Sequence, residues 1–433
     1  MKIFFSIIIP IYNSERFLDK CIRSLIGQSI NNFEILLIND CSSDKSSEIC
    51  QKYKNNYNFI NLINHKKNLG VAKTRNNGIK NSKGKYLVFL DSDDYLYNNS
   101  LKNLEKLIKN KKMPEVIFGR FRKKTFPHSN KIIQNKIYNN SNPNLFLDVI
   151  NKTNFPLEEC WPFIVKKSFL IKKNIYFFDV RIGEDELFVA RILCGMKNYA
   201  CFLNKYYYHS DTHNSLSSLI NIERTFSYIK LLTAFNKYFK KNELNNIKKQ
   251  FIDTKIKKIL GEISSCIILS NNKEIKFLSK EINKYNISKE LSTNYDNINL
   301  YYLIKEYGSY DGLIRFKKLI IKSKLLLLND IRHKLKNIYI YCSGVSALAI
   351  LKIINKSNFN IKGIIDDNIN LKSNKIFKYK IHHSDEFFNK TSYLKISKNS
   401  YLIANQRINT FNKIYRKLVN YGINKNLIMH IKF

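Results

Sequence analysis

Several things are missing from this chain, and each absence excludes a class. Its eight cysteines are scattered, and no two form a Cys-x-x-Cys pair. Neither a zinc site nor a disulfide framework is indicated, and a reducing cytoplasm is the expected compartment. No apolar run reaches transmembrane length. The first residues, "MKIFFSIIIPIYNSE", lack a small-residue cleavage site and are read as a strand, not a signal peptide. Signatures of RNP, zinc-finger and helix-turn-helix modules are absent, as is any short-period repeat. Carboxylates are scarce: 34 Asp and Glu stand against 74 Lys and Arg, a formal net charge of +40. Lys, Asn and Ile are abundant together, as an AT-rich genome would produce, so the charge alone identifies no partner. Nucleic acid is not expected. Peripheral contact with the anionic inner face of the cytoplasmic membrane fits better, because each cation near such a surface contributes about 1 kcal/mol. Most lysines are read as solvated surface.

At 433 residues, with 44% hydrophobic side chains, the chain has room for two or three domains with ordinary cores. Residues 1 to 95 alternate regularly. The stretches "IFFSIIIPIY", "FEILLIND", "FINLINH" and "KYLVFLD" read as strands that are apolar on both faces. "SERFLDKCIRSLIGQS", "SSDKSSEICQKYKNN" and "LGVAKTRNNGIKNSKG" read as helices between them, the first capped by Ser14. This alternation predicts an α/β fold with a mostly parallel sheet, whose ligands bind at the carboxyl ends of the strands. Asp40 and Asp91 lie at two of those ends. Residues 221 to 332 contain no proline and show helical periodicity. Their apolar faces are expected to pack on one another, while the Lys-rich opposite faces suit an interface with lipid. Residues 333 to 433 return to strand and helix alternation and predict a small Rossmann-like domain. The expected divisions are therefore 1–220, 221–332 and 333–433.

The feature that calls for chemistry is "FLDSDDY". It sets Asp91, Ser92, Asp93 and Asp94 directly after an apolar strand. Ionised carboxylates so close repel one another unless a cation sits among them. Hard oxygen ligands suit Mg²⁺ or Mn²⁺, which take one or two protein carboxylates and fill the shell with substrate phosphates. Taken alone, the four residues read as a capped turn rather than a metal site.

The motifs "SIIIPIYNSE", "INDCSSD", "NLGVAKTRNNG" and "VFLDSDDYL", in this order, strongly resemble the family 2 glycosyltransferases of bacterial surface-polysaccharide type. The resemblance spans roughly residues 3 to 215 and implies a GT-A fold that binds a nucleotide-sugar. It implies that Pro10, Tyr12 and Asn13 hold the nucleotide, with the Tyr12 ring beneath the base. Asp40 would accept the imide N–H of uracil. Arg75 would reach the nucleotide, with Asp91 and Ser92 near the ribose. Asp93, with Asp91, would hold Mn²⁺ or Mg²⁺, and Asp94 is adjacent enough to serve instead. Glu34, at the far end of its strand, is read as structural.

In "RIGEDELFVARIL", the resemblance makes Asp185 the general base and Glu184 its orienter. A single carboxylate at the anomeric centre implies inversion. His209, in "YYYHSDTHNS", would bind the diphosphate or complete the metal shell, with His213 a weaker candidate. Trp161 is read as a core residue or, if its indole is exposed, as a ring that would stack on the acceptor sugar. The implied enzyme moves a sugar from a UDP-sugar to a hydroxyl of a growing capsule, lipooligosaccharide or lipid-linked oligosaccharide. A catalytically silent nucleotide-sugar- or glycan-binding protein of the same fold is the alternative, although all four acidic positions are present. A nucleotidyltransferase is excluded because "IPIYNSE" is not a Gly-rich loop. The C-terminal "CSGVSA" turn (Ser343, Gly344) lacks the full Gly-x-Gly-x-x-Gly, so a packing role is expected there rather than redox chemistry, with Asp366 where a ribose-binding acid would stand.

Overall fold

The computed structural model describes residues 2–123, 142–147, 159–210, 222–239, 244–284, 294–295, 298–330, 337–341, 345–354, 359–366, 375–376, 379–384, 387–388, 399–404, 408–421, 423, 425 and 428–431. The chain divides into two compact units. One comprises Met1–Ser218 with Leu244–Ile252, the other Leu219–Glu243 with Asp253–Phe433. The region expected to be a separate helical domain thus belongs mostly to the unit that holds the C-terminal sheet.

The first unit is built on eight strands: β1 (Phe5–Ile11), β2 (Phe33–Asn39), β3 (Ile60–Asn64), β4 (Tyr86–Phe89), β5 (Tyr95–Leu96), β6 (Val116–Lys123), β7 (Phe163–Lys166) and β8 (Tyr199–His209). Their order is β3-β2-β1-β4-β7-β6-β8-β5. β3, β2, β1 and β4 are parallel, and β7 runs against both of its neighbours. β1 pairs with β2 and β4 along its two edges, and Ile7, Ile8 and Ile9, on its two faces, have no exposed surface. Helices α1 (Glu15–Ile26), α2 (Ser46–Asn56), α3 (Val71–Asn81) and α4 (Ser100–Asn110) follow the first strands, and α5 (Lys167–Lys172) and α6 (Glu184–Gly195) follow later. α3 approaches the sheet closely at Gly78, where a Cβ would meet Ile8 Cγ2 at 2.3 Å.

Glu34 ties the amino ends of the strands together, as expected of a structural residue. It is buried, and its Oε1 accepts the Ser6 hydroxyl at 2.6 Å and the Lys83 N–H at 2.5 Å. Ser6 Oγ in turn accepts the Gly84 N–H at 2.8 Å. A Cβ on Gly84 would lie 2.5 Å from the Ser6 nitrogen, so glycine is required by this close approach.

The second unit contains the helices Ile222–Phe239, Asn272–Lys284 and Leu300–Asp330, with the greater part of Asn246–Leu269. A short antiparallel ladder pairs β9 (Asn294–Tyr295) with β10 (Ile298–Asn299). The larger sheet is built from β11 (Ile338–Tyr341), β12 (Ile361–Asp366), β13 (Lys375–Ile376), β14 (Tyr379–His383), β15 (Ser400–Ala404) and β16 (Ile428–Ile431). Its order is β13-β14-β12-β11-β15-β16, parallel except for the edge pair β13–β14. Placing the first strand in the middle gives the expected Rossmann-like arrangement. The "CSGVSA" turn lies largely outside the described residues, and Asp366 closes β12. Among the described residues, no helix is long and apolar enough to cross a membrane.

Candidate active site

The parallel pairing aligns Ile11 with Asn39 and Ile8 with Phe89, which brings the carboxyl ends of β1, β2 and β4 side by side. Pro10, Tyr12, Asn13, Asp40 and Asp91 therefore share one rim. Tyr12 is 52% exposed and offers a ring face to solvent. Asn13 adopts φ 49° and folds the chain back. Its Oδ1 accepts the Ser43 N–H at 2.8 Å, and its own N–H donates to Ser42 Oγ at 3.1 Å. Ser14, expected to cap α1, makes no side-chain cap. Its hydroxyl bonds Ser92 Oγ at 2.7 Å and so links the β1 turn to the acidic turn.

Asp40 is buried, and three donors hold its carboxylate. Oδ1 accepts from His65 Nδ1 at 2.7 Å and from the Leu69 N–H at 2.8 Å. Oδ2 accepts the Gly70 N–H at 2.8 Å. His65 Nε2 meets the amide of Asn77 at 2.8 Å, and Asn81 donates to the Asn77 carbonyl oxygen. That chain of donors leaves His65 protonated on Nδ1. His65 was not singled out by sequence.

Arg75 sits at the centre of the site. Its side chain is 5% exposed, and its guanidinium is turned to carboxylates rather than to solvent. Nη1 donates to Glu184 Oε1 and to Asp185 Oδ1, and Nη2 donates to Asp91 Oδ1, each at 2.8 Å. Its Nε is buried with no partner among the described residues. One guanidinium thus joins three carboxylates from segments up to 110 residues apart. Asp185 Oδ2 also accepts the Cys160 N–H at 3.1 Å. Burial raises the Asp185 carboxyl to about 8. Arg75 opposes the rise, while Glu184 and Asp91 add to it. Burial likewise raises Glu184, again against Arg75. Both residues open α6, whose preceding Gly183 takes φ 82°.

The three aspartates after β4 separate by environment. Asp94 is 1% exposed and faces inward. Its Oδ2 accepts the Tyr207 hydroxyl at 2.6 Å and meets His209 Nδ1 at 3.0 Å, and its Oδ1 accepts the Ser210 N–H at 2.6 Å. Burial raises its carboxyl, against the lowering bond from His209. Asp94 therefore anchors the turn and is not placed to serve as a ligand. Tyr207 Oη also accepts the Asp91 N–H at 3.2 Å, so one phenol braces both ends of the turn. Asp91 keeps a side-chain exposure of 27%, and Asp93 is half-buried. Two half-buried carboxylates with hard oxygens fit a divalent cation that draws its remaining ligands from a diphosphate and water. Among the described residues, no three His, Cys, Asp or Glu side chains gather as a metal cage.

Two expectations are corrected here. Trp161 is 2% exposed, so it presents no ring face to an acceptor sugar. Its indole lies between Tyr207, at 4.8 Å and 19°, and His209, at 5.4 Å and 8°. His209 is turned toward Asp94 and supports the acidic turn from behind. Tyr207 and His209 are two residues apart on β8 and so share a face, a period-two signal available in "YYYH". His213 lies outside the described residues.

The comparisons with known proteins agree with this layout. Residues 6–171 match the model described as glycosyl transferase family 2. The minor teichoic acid biosynthesis protein GgaB of Bacillus subtilis is 33% identical over 214 residues, 47% of this chain and 23% of that protein. The cholesterol galactosyltransferase of Borreliella burgdorferi is 28% identical over 262 residues, 57% of this chain and 71% of its own. The chain thus spans between about a quarter and three quarters of these relatives' lengths. The crystal structure of S. aureus TarS 1–349 in complex with UDP-GlcNAc aligns with a TM-score of 0.50 at 19% identity. The alignment covers 74% of this chain and 92% of that one, and it shows a shared fold. With the strand order, the acidic turn and the α6 carboxylates all on one rim, residues 6–171 form a glycosyl transferase family 2 domain.

Proposed function

We propose that the chain is an inverting glycosyltransferase that moves a sugar from a UDP-sugar to a hydroxyl of a growing surface glycan or lipid-linked oligosaccharide. The observation that carries this reading is the convergence of Asp91, Glu184 and Asp185 on Arg75 at the carboxyl edge of a parallel sheet. A simple capped turn would not need a buried guanidinium joining it to a distant helix.

The exposed Tyr12 ring serves as the platform for the base, and Asp40 lies beside it to take a base N–H. Asp91 borders the ribose. Asp93, with the remaining oxygen of Asp91, would hold Mn²⁺ or Mg²⁺, which neutralises charge on the leaving diphosphate. Asp185 takes the proton from the acceptor hydroxyl. That oxygen attacks the anomeric carbon from the side opposite the diphosphate, the bond to the leaving oxygen breaks, and configuration inverts in one displacement. Burial suits Asp185 to the task, because a carboxyl raised to about 8 is a far stronger base than a solvated one. Glu184 and Arg75 fix its orientation. The GgaB similarity supports a surface-polymer acceptor, and the TarS fold supports a UDP-linked donor.

The test is a panel of nucleotide-sugars with Mn²⁺, read by thermal shift and by slow donor hydrolysis. A UDP-sugar should stabilise the protein, and a chelator or Asp93→Ala should abolish the shift. No response to any nucleotide with any divalent cation would sink the reading.

A further inference from the structure

Among the described residues, the large apolar side chains left exposed are Tyr12, Phe17, Ile171, Phe277 and Leu319. Two of these stand inside the same pattern on two different helices. On Asn272–Lys284, Lys273, Lys276, Phe277 and Lys280 occupy positions i, i+3, i+4 and i+7, all exposed. On Leu300–Asp330, Arg315, Lys318, Leu319 and Lys322 repeat that spacing, again all exposed. Residues so spaced share one helix face. In the first helix the opposite face buries Ile275, Leu278 and Ile282. In the second it buries Leu313, Phe316 and Ile320.

The two helices belong to one unit and run antiparallel against each other. Lys317 Nζ donates to the Ser270 carbonyl at 2.5 Å, and the Ser309 hydroxyl bonds Asn283 Oδ1. Among the described residues, Glu274 and Glu281 are half-buried on the flanks of the first stripe, and Asp311 is exposed before the second. A phenyl and an isobutyl group are therefore exposed to water, each with cationic side chains at neighbouring positions of its helix face. Water penalises the apolar groups and like charge penalises the cations, so each stripe calls for an occupant that is anionic outside and apolar beneath.

We infer that these two stripes seat the chain on an anionic lipid bilayer, with the cations on lipid phosphates and with Phe277 and Leu319 entering the boundary between headgroups and acyl chains. A second copy of the chain is disfavoured, because it would bring cation against cation. Nucleic acid supplies the phosphates, but an aliphatic Leu319 has no ring to stack on a base.

The test uses the full chain and sedimentation with two kinds of vesicle, one of phosphatidylcholine alone and one doped with phosphatidylglycerol. The protein should partition onto the doped vesicles only, and less so as salt rises. Lys276→Gln and Lys318→Gln should each lower partitioning roughly fivefold, since about 1 kcal/mol per cation corresponds to that ratio. Phe277→Ser with Leu319→Ser should remove the salt-resistant part of the binding. All four positions are exposed, so circular-dichroism melts should match the parent chain. Equal binding to both vesicles, no binding, or unchanged binding by the variants would overturn the inference. So would variants that lose self-association or RNA binding while still sedimenting with doped vesicles. No sugar transfer enters this measurement, so its outcome is independent of the proposed reaction.

Discussion

Replacing Arg75 tests the site most directly. The guanidinium is 5% exposed and donates three bonds of 2.8 Å to Asp91, Glu184 and Asp185. Arg75→Met removes the guanidinium that balances them among the described residues and leaves three half-buried carboxyls facing a thioether. Breaking a buried ion set from one side costs about 3–5 kcal/mol, a large share of a typical domain's stability of roughly 5–15 kcal/mol. The loss should depend on pH, and its sign is fixed. Without Arg75 the folded Asp185 and Glu184 carboxyls titrate higher still than in the parent, where burial already raises both, Asp185 to about 8. Between the unfolded and folded values the folded state binds more protons, so stability falls as pH rises. Asp185 is protonated in both folded chains near pH 5, so the added penalty should be small there and grow as pH rises through about 8, where the parent carboxyl ionises and the variant's does not. Arg75→Lys keeps a charge but loses the planar fork, and should cost about 1.5–3 kcal/mol for the charged bonds it cannot rebuild. Trp161 is the chain's single tryptophan and follows Cys160, whose N–H reaches Asp185, so urea unfolding followed by its fluorescence reports this unit. If Arg75→Met stays within about 1 kcal/mol of the parent at pH 9, or loses stability equally at pH 5 and pH 9, the clamp is not what holds these carboxyls together.

Four shorter tests follow. The proposed base must be ionised to act, so with Asp185 in that role the rate should rise with pH toward about 8 and then level off. Asp185→Asn should stop transfer and keep UDP-sugar binding, whereas lost binding would mean that the base lies elsewhere. Tyr207→Phe removes the 2.6 Å donor to Asp94 and orphans the Asp91 N–H, at about 1–3 kcal/mol. It should also weaken the Mn²⁺-dependent thermal shift, and an unchanged shift would show that the turn needs no brace. Gly84→Ala pushes a Cβ to 2.5 Å from the Ser6 nitrogen and should cost about 1–3 kcal/mol or more in urea unfolding, because the neighbour is backbone.

Much of the fold could be read from periodicity, because β1, β2 and β4 are buried on both faces and the helices between them carry one apolar side. The carboxyl-end positions of Tyr12, Asp40 and Asp91 followed from that alternation. The roles of Asp94, Tyr207 and His209 did not follow, because a bond across 113 residues leaves no local trace. "DSDD" presents three aspartates of equal appearance, and only burial tells Asp94 from Asp93. The sequence leaves Trp161 open for a related reason: an indole can cover a sugar or fill a core, and the two stacking partners that decide for the core come from a distant strand. Arg75 lies on a helix of low amphipathicity, where one buried cation does not alter the pattern. Its three carboxylate partners appear only after α6 meets the sheet.

The bonding of Asp40 has a consequence for base selection. A carboxylate offers about four lone-pair positions, two on each oxygen. Oδ1 has filled both of its positions with His65 and Leu69, and Oδ2 has used one on Gly70. Among the described residues, one position is left, on Oδ2. On the proposed reading, the single imide N–H of uracil would fill it. Cytosine would set a ring-nitrogen lone pair against an oxygen lone pair, and guanine would bring two adjacent donors to a single acceptor. A side chain that looks fully occupied would thus count the donors of the base set against it.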